Sequence, residues 1–230
     1  MHRFTLLLAL LPHAADAKCA WSIAVPDILT TRDTKLPDDG GILVGWKQET
    51  GDIEDGRGQA DPSDAQGWTA TAGKTKVALT RTSLAPGLSV FKPDKFTGTL
   101  AVTSQAGELG KFTRDGSGAN KMPAPEVTKD VVSTTKGARW TDRHAVVTLK
   151  SAPPPEAMVL ITFKGSTPIT FVRLSDTHDD VKTIETFEDR GHCGLVVDGS
   201  SPPAAGDKVT FAWVDAFGRV SPHSAAVVVK

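Results

Sequence analysis

The sequence predicts an all-β fold, with two β-sandwich domains packed in tandem behind a cleaved signal peptide. Three observations predict it: short stretches in which apolar and polar residues alternate, clusters of Gly, Pro and Asp between them, and an apolar N-terminal segment that ends in small residues. Alternation with a period of two is typical of strands, and regular turn-rich spacing is typical of sandwiches. No stretch has a sustained helical period.

The N-terminal segment has the parts of a secretory signal. Arg3 makes its start basic, residues 4–11 are apolar, and residues 15–17 read Ala-Asp-Ala, which fits a signal peptidase site. The apolar run is shorter than the roughly 20 residues of a membrane-spanning helix. We therefore expect residues 1–17 to be a signal peptide, and the remainder to be periplasmic or secreted. Lys18 precedes Cys19, where a lipoprotein would carry a small residue.

The exported part is predicted to divide near residues 119–125, where a glycine-rich turn is followed by Pro123 and Pro125. The expected domains are 18–121 and 122–230, each about the size of one sandwich of roughly 100 residues. We expect the two to pack closely rather than to be freely jointed. The alternating or apolar patterns predict strands at residues 42–47, 96–103, 145–150, 158–163, 169–174, 209–214 and 227–229.

Three of these stretches, 158–163, 169–174 and 209–214, are apolar on both faces, as expected of central strands. The last stretches add a family resemblance. Residues 209–229 begin with an apolar stretch, continue with the pattern Asp215-x-x-Gly218-x-x-Ser221 and end in a valine-rich stretch. Residues 83–87 read Ser-Leu-Ala-Pro-Gly. These patterns resemble bacterial immunoglobulin-like and fibronectin type III-like β-sandwich domains of exported proteins. The resemblance implies two immunoglobulin-like sandwiches in tandem, and a fold alone names no function.

Cys19 and Cys193 are the only cysteines. An even count in an exported chain predicts a disulfide, because oxidising compartments keep such bonds. The bond would close a loop of roughly 175 residues, worth about 5 kcal/mol in the chain-entropy treatment. The alternative is a metal site that also uses His192, but adjacent ligands fit tetrahedral zinc poorly. We expect the disulfide, with no metal and no cofactor.

The charges are balanced and scattered along the chain, with 26 basic against 27 acidic residues. A nucleic-acid binder has a clustered basic surface instead. We expect no nucleic-acid partner and no membrane span, and the partner class that remains is an unknown protein or a polysaccharide.

Few residues suggest chemistry. Acidic residues crowd positions 49–64 without the register of a calcium loop. Residues 175–180 join a serine and His178 to acids that include Asp179 and Asp180, yet catalytic triads come from distant segments. We assign no catalytic residue. Trp68 and Trp140 lie in polar surroundings and are possible ligand-stacking residues, whereas Trp46 and Trp213 lie in apolar strands and are expected in the core.

The function that these observations favour is that of a non-catalytic exported protein that binds another macromolecule or has a structural part in the cell envelope. A carbohydrate-binding module is the second class, because of Trp68, Trp140 and the acidic loop. An extracytoplasmic hydrolase built on the histidine-bearing loops is the third, and it requires a pocket that brings His178 beside a nucleophile or metal.

Overall fold

The computed structural model describes residues 21–51, 68–104, 107–116, 121–128, 133–136, 141–174, 183–188 and 203–230. These residues form strands and no helix, which confirms the all-β prediction. The strands are β1 Trp21–Ile28, β2 Lys35–Leu36, β3 Ile42–Gly51, β4 Thr69–Ala72, β5 Thr75–Val77, β6 Leu79–Ala85, β7 Leu88–Pro93, β8 Leu100–Ser104, β9 Gly107–Arg114, β10 Ser133–Lys136, β11 Thr141–Thr148, β12 Ala157–Lys164, β13 Thr167–Arg173, β14 Thr183–Glu188, β15 Lys208–Asp215 and β16 Val227–Val228.

These strands form four sheets. In the N-terminal half, sheet I has the order β1-β3-β7-β6 and sheet II the order β2-β9-β8-β4-β5. In the C-terminal half, sheet III has the order β13-β12-β15-β16 and sheet IV the order β10-β11-β14. Neighbouring strands are antiparallel except β2 and β9, which pair in parallel at Lys35 with Thr113 and Leu36 with Arg114.

Each half buries a core between its own two sheets, as a β-sandwich does. The N-terminal core, between sheets I and II, is built around Phe112, Leu100 and Ile42, which are at most 1% exposed. The C-terminal core, between sheets III and IV, is built around Phe211 and Trp213. Each half therefore has a two-layer arrangement that is consistent with a β-sandwich.

A third core joins the two sandwiches. Leu43 and Leu88 of sheet I pack against residues of sheet III such as Ile161 and Val214, and all four are fully buried. We call this cluster the central core. It stacks the layers in the order II, I, III, IV, so that the middle strands of the two inner sheets are covered on both faces. Residues of both halves thus share one buried cluster.

The central core explains why some strands are apolar on both faces. In β12, Leu160 points into the C-terminal core, while Val159 and Ile161 point into the central core. In β15, Phe211 and Trp213 likewise point into the C-terminal core, and the residues that alternate with them point into the central core. A strand that is buried on both sides reads as a continuous apolar run, because neither face meets water.

Most predicted strands are confirmed. Residues 42–47, 145–150, 158–163, 169–174, 209–214 and 227–229 all lie in or overlap strands. The stretch 96–103 differs, because its strand begins only at Leu100. Gly98, at φ 77°, turns the chain just before it, in a left-handed conformation that favours glycine. Phe96 therefore lies in a loop, where it remains in contact with the N-terminal core.

Residues 215–219 form a turn at the end of β15, which we call the Asp215 turn. This turn connects the two sandwiches. Asp215 is 2% exposed. Its Oδ1 accepts hydrogen bonds from the backbone N–H groups of Phe217 and Arg219, both at 2.9 Å, and its Oδ2 accepts one from Arg219 Nε at 2.7 Å. Burial lowers the pKa of Arg219, but its hydrogen bond and charge pairing with Asp215, helped by Asp39, raise the pKa overall.

The Asp215 turn reaches into the N-terminal sandwich. Phe217 packs against the N-terminal core, and its carbonyl oxygen accepts a hydrogen bond from Gly41 N–H at 2.8 Å. Thr30 Oγ1 donates to the carbonyl of Ala216 at 2.5 Å and accepts from Leu43 N–H at 2.7 Å. Because Thr30 is buried, this two-bond bridge connects the sandwiches away from water.

Candidate functional site

A groove of about 680 Å³ opens at one end of the N-terminal sandwich. Its size lies within the roughly 300–1,000 Å³ that ligand-binding clefts usually have. Four segments form its walls: the chain after β2, the β4–β5 hairpin, the loop between β7 and β8, and the end of β9. The side chains with binding chemistry along it are Asp38, Thr75, Lys95, Phe96, Thr97 and Arg114.

Arg114, the last residue of β9, is held in a fixed position in this groove. Its Nη1 donates to the carbonyl oxygen of Pro37 at 3.1 Å, and its Nη2 donates to that of Pro93 at 3.0 Å. A longer contact of 3.5 Å joins Nη1 to the carbonyl of Asp38. The guanidinium also lies over the ring of Phe96, 5.0 Å from its centroid. Such cation–π contact adds to the hydrogen bonds that fix the side chain.

The local sequence explains this placement. The parallel pairing of β2 with β9 sets Leu36 opposite Arg114, so the carbonyls that follow Leu36 lie within reach of the guanidinium. Pro93 ends β7, and the carbonyl of a residue at a strand end is free to accept a side-chain donor. A guanidinium has five N–H groups. The three contacts with carbonyls leave two N–H groups for a ligand.

Lys95 and Phe96 come from the loop between β7 and β8. Lys95 is exposed, and no ion pair is found for its ammonium among the described residues. Phe96 is half-buried, so part of its ring supports the N-terminal core while the ring also lines the groove. Thr75 and Thr97 place hydroxyl groups on two sides of the same space.

A second cleft, of about 240 Å³, lies in the C-terminal sandwich beside residues 153–155, which are three consecutive prolines. Its base is Trp213, which is 2% exposed. The carboxylate of Glu126 at its rim is paired with Lys150 Nζ at 2.7 Å, and this hydrogen bond raises the pKa of Lys150. The cleft is smaller than the groove and its charged group is already engaged.

The structure describes some of the predicted site residues. Trp213 lies in the core as predicted. Trp68 is half-buried, with its ring 5.3 Å from that of Phe91 in a tilted contact, and it packs against the N-terminal core. Ligand stacking by Trp68 stays a prediction. Trp140, Cys19 and Cys193 lie outside the described residues, as do His178, Asp179 and Asp180, so the expected disulfide and the polar segment 175–180 stay predictions as well.

Histidines and acids form no described metal site. In the part of the chain that the structure describes, no group of three His, Cys, Asp or Glu side chains could hold a metal ion. His223 stacks on Phe163 with centroids 4.2 Å apart, and its Nδ1 is 3.1 Å from Thr210 Oγ1. His192 and most of the acidic stretch 49–64 lie outside the described residues.

No sequence pattern discussed above marks the groove residues. Their signal is local: Pro93, Asp94 and Gly98 bound a short loop that carries a lysine, an aromatic residue and a threonine. A loop with those residues between two strands is a usual place for binding groups. Arg114 gave no signal, because only the pairing of β2 with β9 shows which carbonyls it meets.

The comparisons with known proteins find no family model and no curated protein that matches this chain. Among the described residues, no helix is long and apolar enough to cross a membrane. The fold and the groove are therefore the features of this chain that bear on its function.

Proposed function

We propose that this chain is an exported, non-catalytic binding protein, made of two immunoglobulin-like sandwiches, which holds a macromolecule of the cell envelope in its N-terminal groove. The single observation that carries the proposal is Arg114. Its guanidinium is fixed by backbone carbonyls and by Phe96, and N–H groups are left over for a ligand.

The strand orders support the family part of the proposal. Lettered along the chain, sheet I is A-B-E-D and sheet II is A′-G-F-C-C′. Immunoglobulin domains have A-B-E-D in one sheet and C, F and G in the other, with additional C strands in the variable type. Sheets IV and III are A-B-E and C′-C-F-G, which is the arrangement of fibronectin type III-like domains.

Export and the disulfide belong to the same proposal, and sequence features support them. Residues 1–17 have the pattern of a signal peptide, and the two cysteines are even in number. Cys19 precedes β1 of the N-terminal sandwich, and Cys193 falls between β14 and β15 of the C-terminal one. A Cys19–Cys193 bond would therefore tie together the same two units that the central core joins.

Binding rather than catalysis is supported by the chemistry of the groove. Its polar side chains are two cations, two hydroxyls and one carboxylate around an aromatic ring. Cations and hydroxyls recognise ligands through charge and hydrogen bonds, and an aromatic ring supplies apolar contact. General acid–base catalysis needs groups that titrate near the working pH beside the reacting atom. Among the described lining residues there is one carboxylate, Asp38, and no histidine to pair with it.

Co-sedimentation with purified cell-envelope fractions tests the proposal. We expect the purified protein to sediment with the fraction that holds its partner, and Lys95→Glu in the groove to reduce the bound amount. Lys208→Glu, at an exposed lysine of the other sandwich, is the matched control and should bind normally. Equal binding by both variants and the unaltered protein would show that the groove is not the binding surface.

A triple substitution tests the alternative that the protein is a hydrolase. Replacement of His178, Asp179 and Asp180 together by alanine should leave the binding intact, since the described lining that carries the proposal consists of other residues. If that variant folds normally and abolishes a hydrolytic activity of the unaltered protein, the non-catalytic proposal fails.

A further inference from the structure

We infer that the ligand of the groove is an acidic glycan, recognised through the carboxylate of a uronic acid residue. This inference rests on the proposed function and adds the chemical class of the ligand. It follows from three features of the groove: its charge balance, the geometry of Arg114, and the mixture of an aromatic ring with hydroxyl groups.

The charge balance favours a singly charged ligand group. Lys95 and Arg114 bring two positive charges to the lining, and Asp38 brings one negative charge. A phosphate dianion would be repelled by the Asp38 carboxylate, whereas a carboxylate with one charge matches the excess of one cation. Asp38 would then accept hydrogen bonds from sugar hydroxyls, which a carboxylate does well.

Arg114 suits a carboxylate through its geometry. A guanidinium presents parallel N–H groups that match the two oxygens of a carboxylate. Because the carbonyls of Pro37 and Pro93 hold the guanidinium in place, binding costs less side-chain entropy than it would for a free arginine. Lys95, without an ion pair among the described residues, can add a second charge contact from the loop between β7 and β8.

The remaining lining suits a sugar ring. Phe96 offers apolar ring surface, and Thr75 and Thr97 offer hydroxyls that can both donate and accept hydrogen bonds. A sugar presents the same combination of C–H faces and hydroxyl edges. The volume of about 680 Å³ is more than one small anion needs and lies in the range of sites for larger ligands.

Calorimetric titration with tetragalacturonate and with its methyl ester tests the inference. The ester keeps every sugar ring and removes every charge, so it isolates the carboxylate. We expect the affinity for the ester to be about tenfold lower than that for the acid, because hydrogen bonds to charged groups are stronger than those to neutral groups. Lys95→Glu should weaken the acid by about tenfold and leave the ester unchanged. Lys208→Glu should change neither.

Arg114→Gln adds a readout that a purely structural arginine would not move. If Arg114 only supports the groove, the variant weakens the acid and the ester by the same factor. If it contacts the carboxylate, the ratio of the two affinities falls toward one. Measuring the ratio keeps the test valid even where the variant is less stable, provided that a thermal melt shows it folded.

Four outcomes overturn the inference, and the last of them also removes the proposed function. Equal binding of acid and ester, or displacement of tetragalacturonate by inorganic phosphate at equal concentration, would show that no uronic acid is recognised. Absence of binding to either saccharide, with envelope binding that still depends on Lys95, would reject the ligand class and keep the binding function. Absence of saccharide binding and of envelope binding would reject both.

Discussion

The two inner sheets and the two outer sheets of this molecule differ in what their strands face. In β12 of sheet III, residues 159–163 are all buried, because one face meets the C-terminal core and the other meets the central core. In β9 of sheet II, Phe112 is buried while its neighbour Lys111 is exposed, because the far side of that sheet meets water. The difference shows that the contact between the sandwiches is built like a core.

The groove and the inner sheets also differ in their roles: the groove offers binding groups, and the inner sheets support it. The groove lies in the N-terminal sandwich and takes residues from strand ends and loops, where side chains are not consumed by packing. The inner sheets contribute no charged group to it. A rigid stack of four layers would hold the loops at constant spacing, which is what a preformed binding site requires.

The largest loss of stability is expected from a substitution that disrupts the contact between the two sandwiches. Asp215→Ala removes the acceptor of three hydrogen bonds and leaves Arg219 without its closest partner. We expect a loss of about 3–5 kcal/mol in the free energy of unfolding, as for other broken buried ion pairs. Equilibrium urea unfolding measures it.

Asp207→Ala is the matched control for this change. Asp207 also pairs with a cation, Lys164 Nζ at 2.9 Å, and accepts a bond from Ala204 N–H, but in an exposed turn. The hydrogen bond from Lys164 is the main cause that lowers the pKa of Asp207. A loss as large as that of Asp215→Ala would mean that burial at the joint is unimportant.

The next effect compares the central core with the N-terminal core. Leu43 and Leu100 are both fully buried, the first in the central core and the second in the N-terminal core. We expect Leu43→Ala and Leu100→Ala each to cost about 3 kcal/mol, within the usual range for buried leucine. The same urea titrations apply. A cost for Leu43→Ala well below that for Leu100→Ala would indicate a loose contact between the sandwiches.

Gly218→Ala tests the close approach in the Asp215 turn. A Cβ at Gly218 would lie 2.5 Å from Val90 Cγ2, and the backbone there has φ 71°. We expect a cost of about 2–3 kcal/mol from overpacking and left-handed strain together. Gly73→Ala is the control, because Gly73 has φ 59° and open space around it. Its cost should be smaller, about 1 kcal/mol.

The smallest effect has the opposite sign. Thr162 in β12 is fully buried, and its Oγ1 has no hydrogen-bond partner among the described residues. Thr162→Val keeps the shape and removes a polar group that burial has stripped of water. We expect the variant to gain up to about 1 kcal/mol in thermal or urea unfolding. A clear loss of stability would reveal a hydrogen bond at this hydroxyl.

Sequence reasoning found the strands and missed the groove for one physical reason. Strand patterns are local: the apolar run at residues 209–214 and the alternation at 42–47 follow from a period of two. The burial of both faces of residues 209–214 was visible as well, but the partner that covers the second face was not. Only the fold shows that Leu43 and Val214 meet in one cluster.

The Asp215 turn is only partly predictable from the sequence, unlike the strands, which are predictable, and the groove, which is not. Its pattern, Asp215-x-x-Gly218-x-x-Ser221, is visible in the sequence as part of the resemblance to immunoglobulin-like domains. The structure adds that Asp215 caps the turn, and that Ser221 Oγ accepts a hydrogen bond from Trp213 N–H at 2.9 Å. That the turn also carries Phe217 into the other sandwich depends on contacts between distant residues, which no local pattern encodes.

Scanning calorimetry of the purified protein, with and without a reducing agent, tests most directly whether the two sandwiches form one body. The account predicts a single transition whose calorimetric and van't Hoff enthalpies agree. Reduction would remove the proposed Cys19–Cys193 bond, and the single transition should persist at a lower temperature because the central core and the Asp215 turn remain. Two separate transitions, or a van't Hoff enthalpy well above or below the calorimetric value in the reduced protein, would contradict the account.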